Sequence, residues 1–113
     1  MKNIIIGVLL VFAAFTSSAQ EVTNKNAKIE FHVSGNCEMC KKRIEKAALS
    51  VPGVKSSDWH MDGGTLYLIV NEQKTDVTTI QKAIAAVGHD TGEFKALKEV
   101  YDGLHSCCQY DRK

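Results

Sequence analysis

The sequence predicts an α+β fold of the ferredoxin-like type, a βαββαβ sandwich with two helices on one face of a four-stranded antiparallel sheet. Segments with alternating apolar residues, which are typical of strands, flank two segments whose apolar residues recur at helical spacing. Asp62-Gly63-Gly64 stands between the two central strand-like segments, and this turn is typical of an antiparallel hairpin. The order strand, helix, strand, strand, helix, strand is that of the split βαβ fold.

The first strand and the first helix are predicted over residues 27–33 and 38–51. The stretch AKIEFHV alternates strictly, which places Ile29, Phe31 and Val33 on one face of a half-buried strand. A short loop leads into the helix, and a Pro-Gly pair ends it. The apolar stripe of this helix consists of Cys40, Ile44, Ala47, Ala48 and Val51.

The hairpin strands are predicted over residues 54–61 and 65–71. The turn Asp62-Gly63-Gly64 lies between them, and turn residues also precede the first stretch. Trp59 lies in the first of them, and we expect it to pack in the core or on a face of the sheet.

The second helix follows the hairpin and precedes a weaker last strand. Thr75 or Asp76 is expected to cap the helix, and Gly88 ends it. The last strand, over residues 89–97, is weaker because Gly92 interrupts it. The apolar stripe of the second helix consists of Val77, Ile80, Ala83, Ile84 and Val87.

The N-terminal stretch predicts export. Residues 1–19 have a charged start, an uncharged apolar core and a small-x-small ending, the pattern of a secretory signal peptide cleaved after Ala19. A membrane anchor is disfavoured because a span needs about 20 apolar residues. We expect a periplasmic or extracellular protein whose mature form does not span the membrane. It would have a lead-in over 20–26, one domain over 27–95 and a C-terminal extension over 96–113.

The charge balance disfavours polyanionic partners. The chain has 14 basic and 13 acidic residues, and Lys2 would leave with the signal peptide. A neutral mature chain does not fit nucleic acid or an anionic membrane surface. The sequence also lacks a recognisable catalytic triad, phosphate-binding loop or acid pair, so we predict that the protein is not an enzyme. We also expect it to be a monomer.

Cys37 and Cys40 form a C-x-x-C motif where the first strand gives way to the first helix. Unpaired N–H groups at a helix start favour thiolates, so both cysteines are expected to be reactive. Three roles fit the residues: a disulfide staple, a redox couple of the thioredoxin kind, or a pair of thiolates for Cu(I) or Hg(II). The redox role expects a proline facing the cysteines, whereas the only proline, Pro52, lies at the far end of the helix.

The stretches SGNCEMCKKRIEKAALSVPGV and DVTTIQKAIAAVGHD resemble the heavy-metal-associated domain of copper chaperones, metal-ATPase N-terminal domains and the periplasmic mercury-binding protein. The resemblance covers about residues 27–95. It implies a non-enzymatic carrier of Cu(I), with Hg(II) or Zn(II) as other ions. Cys37 would exchange first and Cys40 would hold the ion during transfer to a thiol-bearing transporter or efflux protein. A thiol-disulfide oxidoreductase is the alternative.

Two positions near the motif bear on this resemblance. Gly35 stands where the family usually has a Met beneath the loop, which affects loop rigidity and metal preference. His89 stands where the family often has Tyr or Lys near the metal loop, so it is a candidate third ligand or tuning residue. His32 and His60 are expected to be exposed strand residues. Met39, between the cysteines, is expected to face solvent or fill a gap, although it could be a soft neighbour of the metal.

The C-terminal extension contains a second cluster of soft donors. His105, Cys107 and Cys108 lie within one short stretch, H-S-C-C. We predict that the extension folds back over the first loop and that these three residues add ligands to the metal site. A structural disulfide or a flexible docking end are the alternatives.

Overall fold

The computed structural model describes residues 24–112 of the 113. The predicted signal peptide, residues 1–19, and most of the lead-in lie outside the described residues. Within the described part, every helix is too short or too polar to cross a bilayer. The elements in chain order are β1 (Ala27–His32), α1 (Glu38–Leu49), β2 (Val54–Trp59), β3 (Thr65–Val70), α2 (Val77–Ala86), α3 (Lys98–Asp102) and a 3-10 helix (Ser106–Cys108).

The three strands form one antiparallel sheet in which β3 lies between β1 and β2. In the register of β1 with β3, Ile29 pairs with Leu68, and β2 shows an irregularity near its start. Gly63 and Gly64 have φ of 86° and 72°, a left-handed conformation that glycine adopts without steric cost. The predicted hairpin is therefore confirmed, and its turn needs both glycines.

The helices complete the core as their apolar stripes predicted. Every residue of the stripe predicted for the first helix is buried. Ile80 and Ile84 of α2 are completely buried in the same core cluster as Trp59, and the other three residues of the α2 stripe are partly buried. Asp76, and not Thr75, caps α2: its carboxylate accepts a hydrogen bond of 2.8 Å from the Thr79 amide. That bond holds the pKa of Asp76 below its ordinary value.

The fourth strand predicted over residues 89–97 is absent from the described chain. Only an isolated antiparallel bridge joins Val33 to Thr91. The chain then turns, because the Thr91 amide donates to the Phe94 carbonyl at 2.8 Å and the Phe94 amide donates to the Thr91 hydroxyl at 3.0 Å. These local bonds use the backbone groups that a strand ladder would need, so the sheet of the described residues ends at β1.

Residues 96–112, called the tail below, fold back onto the segment after α2. The Asp90 carboxylate accepts two hydrogen bonds from the Arg112 guanidinium, at 2.9 Å and 2.8 Å, and one from the Ala96 amide at 2.7 Å. Arg112 also donates to the Ala96 carbonyl at 2.7 Å. Because Asp90 is buried, this two-pronged pairing is a strong attachment for the end of the tail.

Tyr110 makes the second attachment. Its buried hydroxyl donates to the Gly88 carbonyl and accepts from the Asp90 amide, both at 2.8 Å. Its ring lies 5.6 Å from the His89 ring and 5.0 Å from the Tyr101 ring, measured between centroids. Burial raises the pKa of Tyr110 to about 12, so the hydroxyl stays protonated and able to donate.

Tyr110→Phe is expected to lower the free energy of unfolding by about 1–3 kcal/mol, because it leaves a buried carbonyl and a buried amide without their partner. Chemical denaturation measures the change. Tyr67→Phe is the matched control, since Tyr67 is exposed on the sheet and its loss should change stability little. Equal effects of the two substitutions would contradict the role given to Tyr110.

Candidate metal centre

Cys37 occupies the N-cap position of α1, and Cys40 lies in the first helical turn. Cys37 has an extended backbone conformation, and the two sulfurs are 3.2 Å apart. Cys40 is completely buried, and its sulfur accepts a hydrogen bond from the Asn36 amide at 3.5 Å. Amide groups of the loop and of the helix start thus surround the pair, as expected for a site that stabilises thiolates.

The tail brings the other two cysteines to this pair. The sulfur of Cys37 lies 3.1 Å from that of Cys108 and 3.2 Å from that of Cys107. The sulfurs of Cys37, Cys40 and Cys108 all lie within 4.8 Å of one another, and Cys108 is completely buried. All four are free thiols. The tail folds back over the first loop as expected, while the ligand roles of its residues stay predictions.

A fifth sulfur lies at the solvent edge of the cluster. The Met39 thioether is 3.6 Å from the Cys107 sulfur, and the side chain is 42% exposed. Met39 therefore faces solvent as expected and also touches a thiol, and its role as a neighbour of the metal stays a prediction. It leaves the outer side of Cys107 accessible.

The thiols differ in acidity although they touch. Burial acts to raise the pKa of Cys37, but contacts with the other three thiols and with the Cys40 backbone outweigh it and lower the pKa to about 7. Burial, followed by contacts with Cys40 and Cys37, raises the pKa of Cys108 far above its ordinary range. Contact with Cys37 raises the pKa of Cys107. Negative charge in the metal-free cluster therefore concentrates on Cys37.

His89 lies behind the loop and outside the group of sulfurs. It is completely buried, and its Nδ1 lies 2.8 Å from the Ser34 carbonyl, to which it donates. Its Nε2 has no hydrogen-bond partner among the described residues. Burial lowers the pKa of His89, so the ring is neutral at physiological pH. The ring touches both the loop and Tyr110 of the tail, which fits a tuning residue, and its role as a ligand stays a prediction.

The remaining histidines lie away from the sulfurs. His105 is exposed and precedes the 3-10 helix, where its carbonyl accepts from the Cys108 amide at 2.8 Å. The structure does not bring its ring into the sulfur group. His32 and His60 are exposed, as expected.

Trp59 fills the space beneath the metal loop that Gly35 leaves open. A Cβ atom placed on Gly35 would come within 3.1 Å of the Trp59 ring and of the Cys40 Cβ. The indole N–H donates to the carbonyls of Val33 and Gly64, at 3.1 Å and 3.2 Å. Sequence patterns predicted Trp59 in the core or on a face of the sheet and did not predict this role; the signal for it was a single Trp together with Gly35 at the position where a Met was expected.

The similarity to known proteins covers the part of the chain that carries the C-x-x-C pair. The sequence profile described as "Heavy-metal-associated domain" matches residues 30–90. Among solved structures, a CopZ metallochaperone is 27% identical, with a TM-score of 0.56, covering 57% of this chain and 98% of its own. The N-terminal domain of a potential copper-translocating P-type ATPase from Bacillus subtilis, in its Cu(I)-loaded state, is 25% identical, with a TM-score of 0.55 and coverages of 62% and 85%.

A third similar structure is oxidised MerP from Ralstonia metallidurans. It is 25% identical, with a TM-score of 0.51, and the match covers 58% of this chain and 96% of that one. A search of curated protein sequences gives no match.

Gly35→Met is expected to lower the free energy of unfolding by about 1–3 kcal/mol, because the added side chain overlaps the Trp59 ring. Trp59→Leu makes room for it. The double variant should therefore be more stable than the sum of the two single effects predicts, which denaturant titration of all four proteins measures. Strict additivity would show that the two positions do not share one space.

Cys37 is expected to be the first thiol alkylated in reduced, metal-free protein. Because its pKa is about 7, its rate with iodoacetamide should rise with pH, reach half its maximum near that value and fall about tenfold per pH unit below it. Peptide mass mapping after short exposures identifies the labelled residue. Cys37→Ser should remove the low-pH labelling, whereas labelling of exposed Cys107 ahead of Cys37 would contradict the assignment.

Proposed function

The chain belongs to the heavy-metal-associated domain family, and we propose that it binds a soft metal ion and carries it to another protein. The observation that carries this proposal is the position of the C-x-x-C pair. Cys37 and Cys40 stand 3.2 Å apart at the start of α1, and Cys37 has a pKa of about 7. Soft thiolate ligands select soft ions. A thiol that ionises near neutral pH binds them at little cost in free energy for its deprotonation.

Cu(I) is the proposed cargo. Its support is the likeness to the CopZ metallochaperone and to a Cu(I)-loaded ATPase domain. Hg(II) scavenging is the alternative within the same chemistry, and the likeness to MerP supports it. Zn(II) accepts thiolates too, but its structural sites usually have four donors.

Transfer would proceed by thiolate exchange. Cys37 is partly exposed whereas Cys40 is completely buried, so an incoming thiol reaches the ion on the Cys37 side while Cys40 holds it. The ion keeps its charge: each arriving thiol forms one metal–sulfur bond and releases one proton, while the cysteine that it displaces loses its bond to the ion and takes up one proton. The proposed recipient is a thiol-bearing metal transporter or efflux protein.

The surface beside the site suits an acidic docking face on that recipient. A shallow groove next to Met39 is lined by Lys42, Arg43 and Lys46 of α1 and by Val87. Positive charge near the ion would steer a negatively charged partner toward the exposed side of the cluster.

Export to the periplasm or the extracellular space, as a monomer, completes the proposal. Its support is the signal-peptide pattern over residues 1–19. In an oxidising compartment the cysteines would need protection from disulfide formation, and bound metal supplies it.

A thiol-disulfide oxidoreductase is the second candidate, because four free thiols touch one another and one of them ionises near neutral pH. In that case Cys37 and Cys40 would cycle between dithiol and disulfide, with a dithiol substrate supplying or accepting the two electrons. Turnover on such a substrate, with a strongly oxidising C-x-x-C potential, would favour the enzyme; tight metal binding without turnover favours the carrier.

Reduced protein is expected to bind one Cu(I) per chain in a titration against a competing Cu(I) chelator. Cys37→Ser and Cys40→Ser should each weaken binding by at least about a hundredfold, because a hydroxyl is a poor ligand for a soft ion. His60→Ala is the control, since His60 is exposed and distant from the sulfurs. If both serine variants hold Cu(I) as tightly as the parent, the site lies elsewhere.

A further inference from the structure

We propose that Cys108 is a third sulfur ligand of the bound ion, so that the tail covers the C-x-x-C site. Cys107 is then the thiol on the solvent side of the site. This inference rests on the proposed function and deepens it. The matched family profile ends at residue 90, so the tail lies outside the region that the family likeness covers.

The tail is fixed in place by contacts that involve no sulfur. Arg112 grips the buried Asp90 carboxylate with two hydrogen bonds, and the Tyr110 hydroxyl bridges the Gly88 carbonyl and the Asp90 amide. Tyr101 donates to the Tyr110 carbonyl and adds a further bond within the tail. The Ala96 amide, which donates to the Asp90 carboxylate, attaches the tail before position 108, and Tyr110 and Arg112 attach it after that position. In this arrangement the Cys108 sulfur lies 3.1 Å from that of Cys37 before any ion binds.

The spacing of the sulfurs favours three ligands over two. Metal–sulfur bonds of about 2.3 Å place two sulfurs roughly 4.6 Å apart in a linear site but only about 4.0 Å apart in a trigonal one. The sulfur of Cys37 is now 3.2 Å from that of Cys40 and 3.1 Å from that of Cys108. The sulfurs of Cys37 and Cys40 must therefore move apart less to bind an ion with three sulfur ligands than one with two. The Cys108 sulfur already lies beside them, where a third ligand is needed.

Burial gives Cys108 and Cys107 different tasks. Cys108 is completely buried, so its thiolate would be shielded from solvent and from competing thiols. Cys107 is exposed, lies 3.2 Å from the Cys37 sulfur and 3.9 Å from the Cys108 sulfur, and can replace either when the site opens. Binding of Cys108 to Cu(I) forms one Cu–S bond and releases one thiol proton to solvent, with no change in oxidation state.

A third thiolate should slow metal loss and oxidation. Loss of a second-shell partner weakens metal sites about 10–100-fold, and loss of a direct ligand is expected to do at least as much. While an ion holds all three sulfurs, Cys37 and Cys40 cannot pair with each other. The tail would therefore make this chain a tighter holder than a two-thiolate domain.

The test compares full-length parent with Cys107→Ser/Cys108→Ser, both loaded with Cu(I) under reducing conditions. X-ray absorption counts the sulfur neighbours of copper, and transfer to a chelator measures the off-rate. We expect three sulfurs in the parent, two in the double variant, and loss about 10–100-fold faster from the double variant. Ser106→Ala, in the same 3-10 helix but without a sulfur, is the matched control.

Arg112→Ala keeps every sulfur and weakens the attachment to Asp90. It should raise the off-rate in the same direction while the ion, once bound, still shows three sulfurs. This variant keeps the proposal testable if the double substitution disturbs the tail. Cys107→Ser alone should keep three sulfur neighbours, because Cys108 is the assigned ligand.

The outcomes separate the two proposals. A parent that binds Cu(I) through two sulfurs, with an off-rate unchanged by the double substitution, overturns the tail inference and leaves the carrier function standing. A parent that binds no soft ion overturns the carrier function itself. Mass spectrometry that finds Cys108 in a disulfide in the copper-loaded parent would also overturn its role as a ligand.

Discussion

The arrangement of the site depends on the sulfur of Cys37, which stands at the start of α1 and touches three other thiols. The helix start supplies unpaired amides, the first turn of α1 carries Cys40, and the tail supplies Cys107 and Cys108. Close sulfurs repel each other's negative charge, and the pKa of Cys37 is lowered to about 7 while that of Cys108 is raised. A metal ion removes the repulsion, because its charge offsets several thiolates together.

The floor of the site shows how one substitution is balanced by another. Gly35 leaves a gap at the position where the sequence resemblance implied a Met side chain, and the Trp59 ring fills it. An indole is larger and stiffer than a thioether, and its N–H is bonded to the carbonyls of Val33 and Gly64. The loop is therefore supported by an indole ring that two hydrogen bonds hold in place. The absence of the expected Met does not imply a loose loop.

Local patterns allowed the sequence to predict most of the fold. Periodicity identified β1, α1, the hairpin and α2, and the glycines of the hairpin turn had a steric signal of their own. The prediction of a fourth strand was wrong because a local turn at Thr91 uses the backbone N–H and C=O groups that pairing with β1 would need. The C-x-x-C pair was predictable because its two residues are neighbours in the sequence at a helix start. The hydrogen bonds between Asp90 and Arg112 were not predictable, because these residues are far apart in the sequence and share no periodic pattern.

A closed site and a transferable ion make opposing demands, and the tail separates them physically. Its attachments at Arg112 and Tyr110 involve no sulfur, so they could be released before the proposed bond between Cys108 and the ion breaks. A tethered thiol such as Cys108 acts at a high effective concentration, which a partner thiol free in solution does not match. If the proposed recipient displaced the tail, this advantage would be lost. Cys37, left at the exposed side, is then the ligand through which the ion would leave.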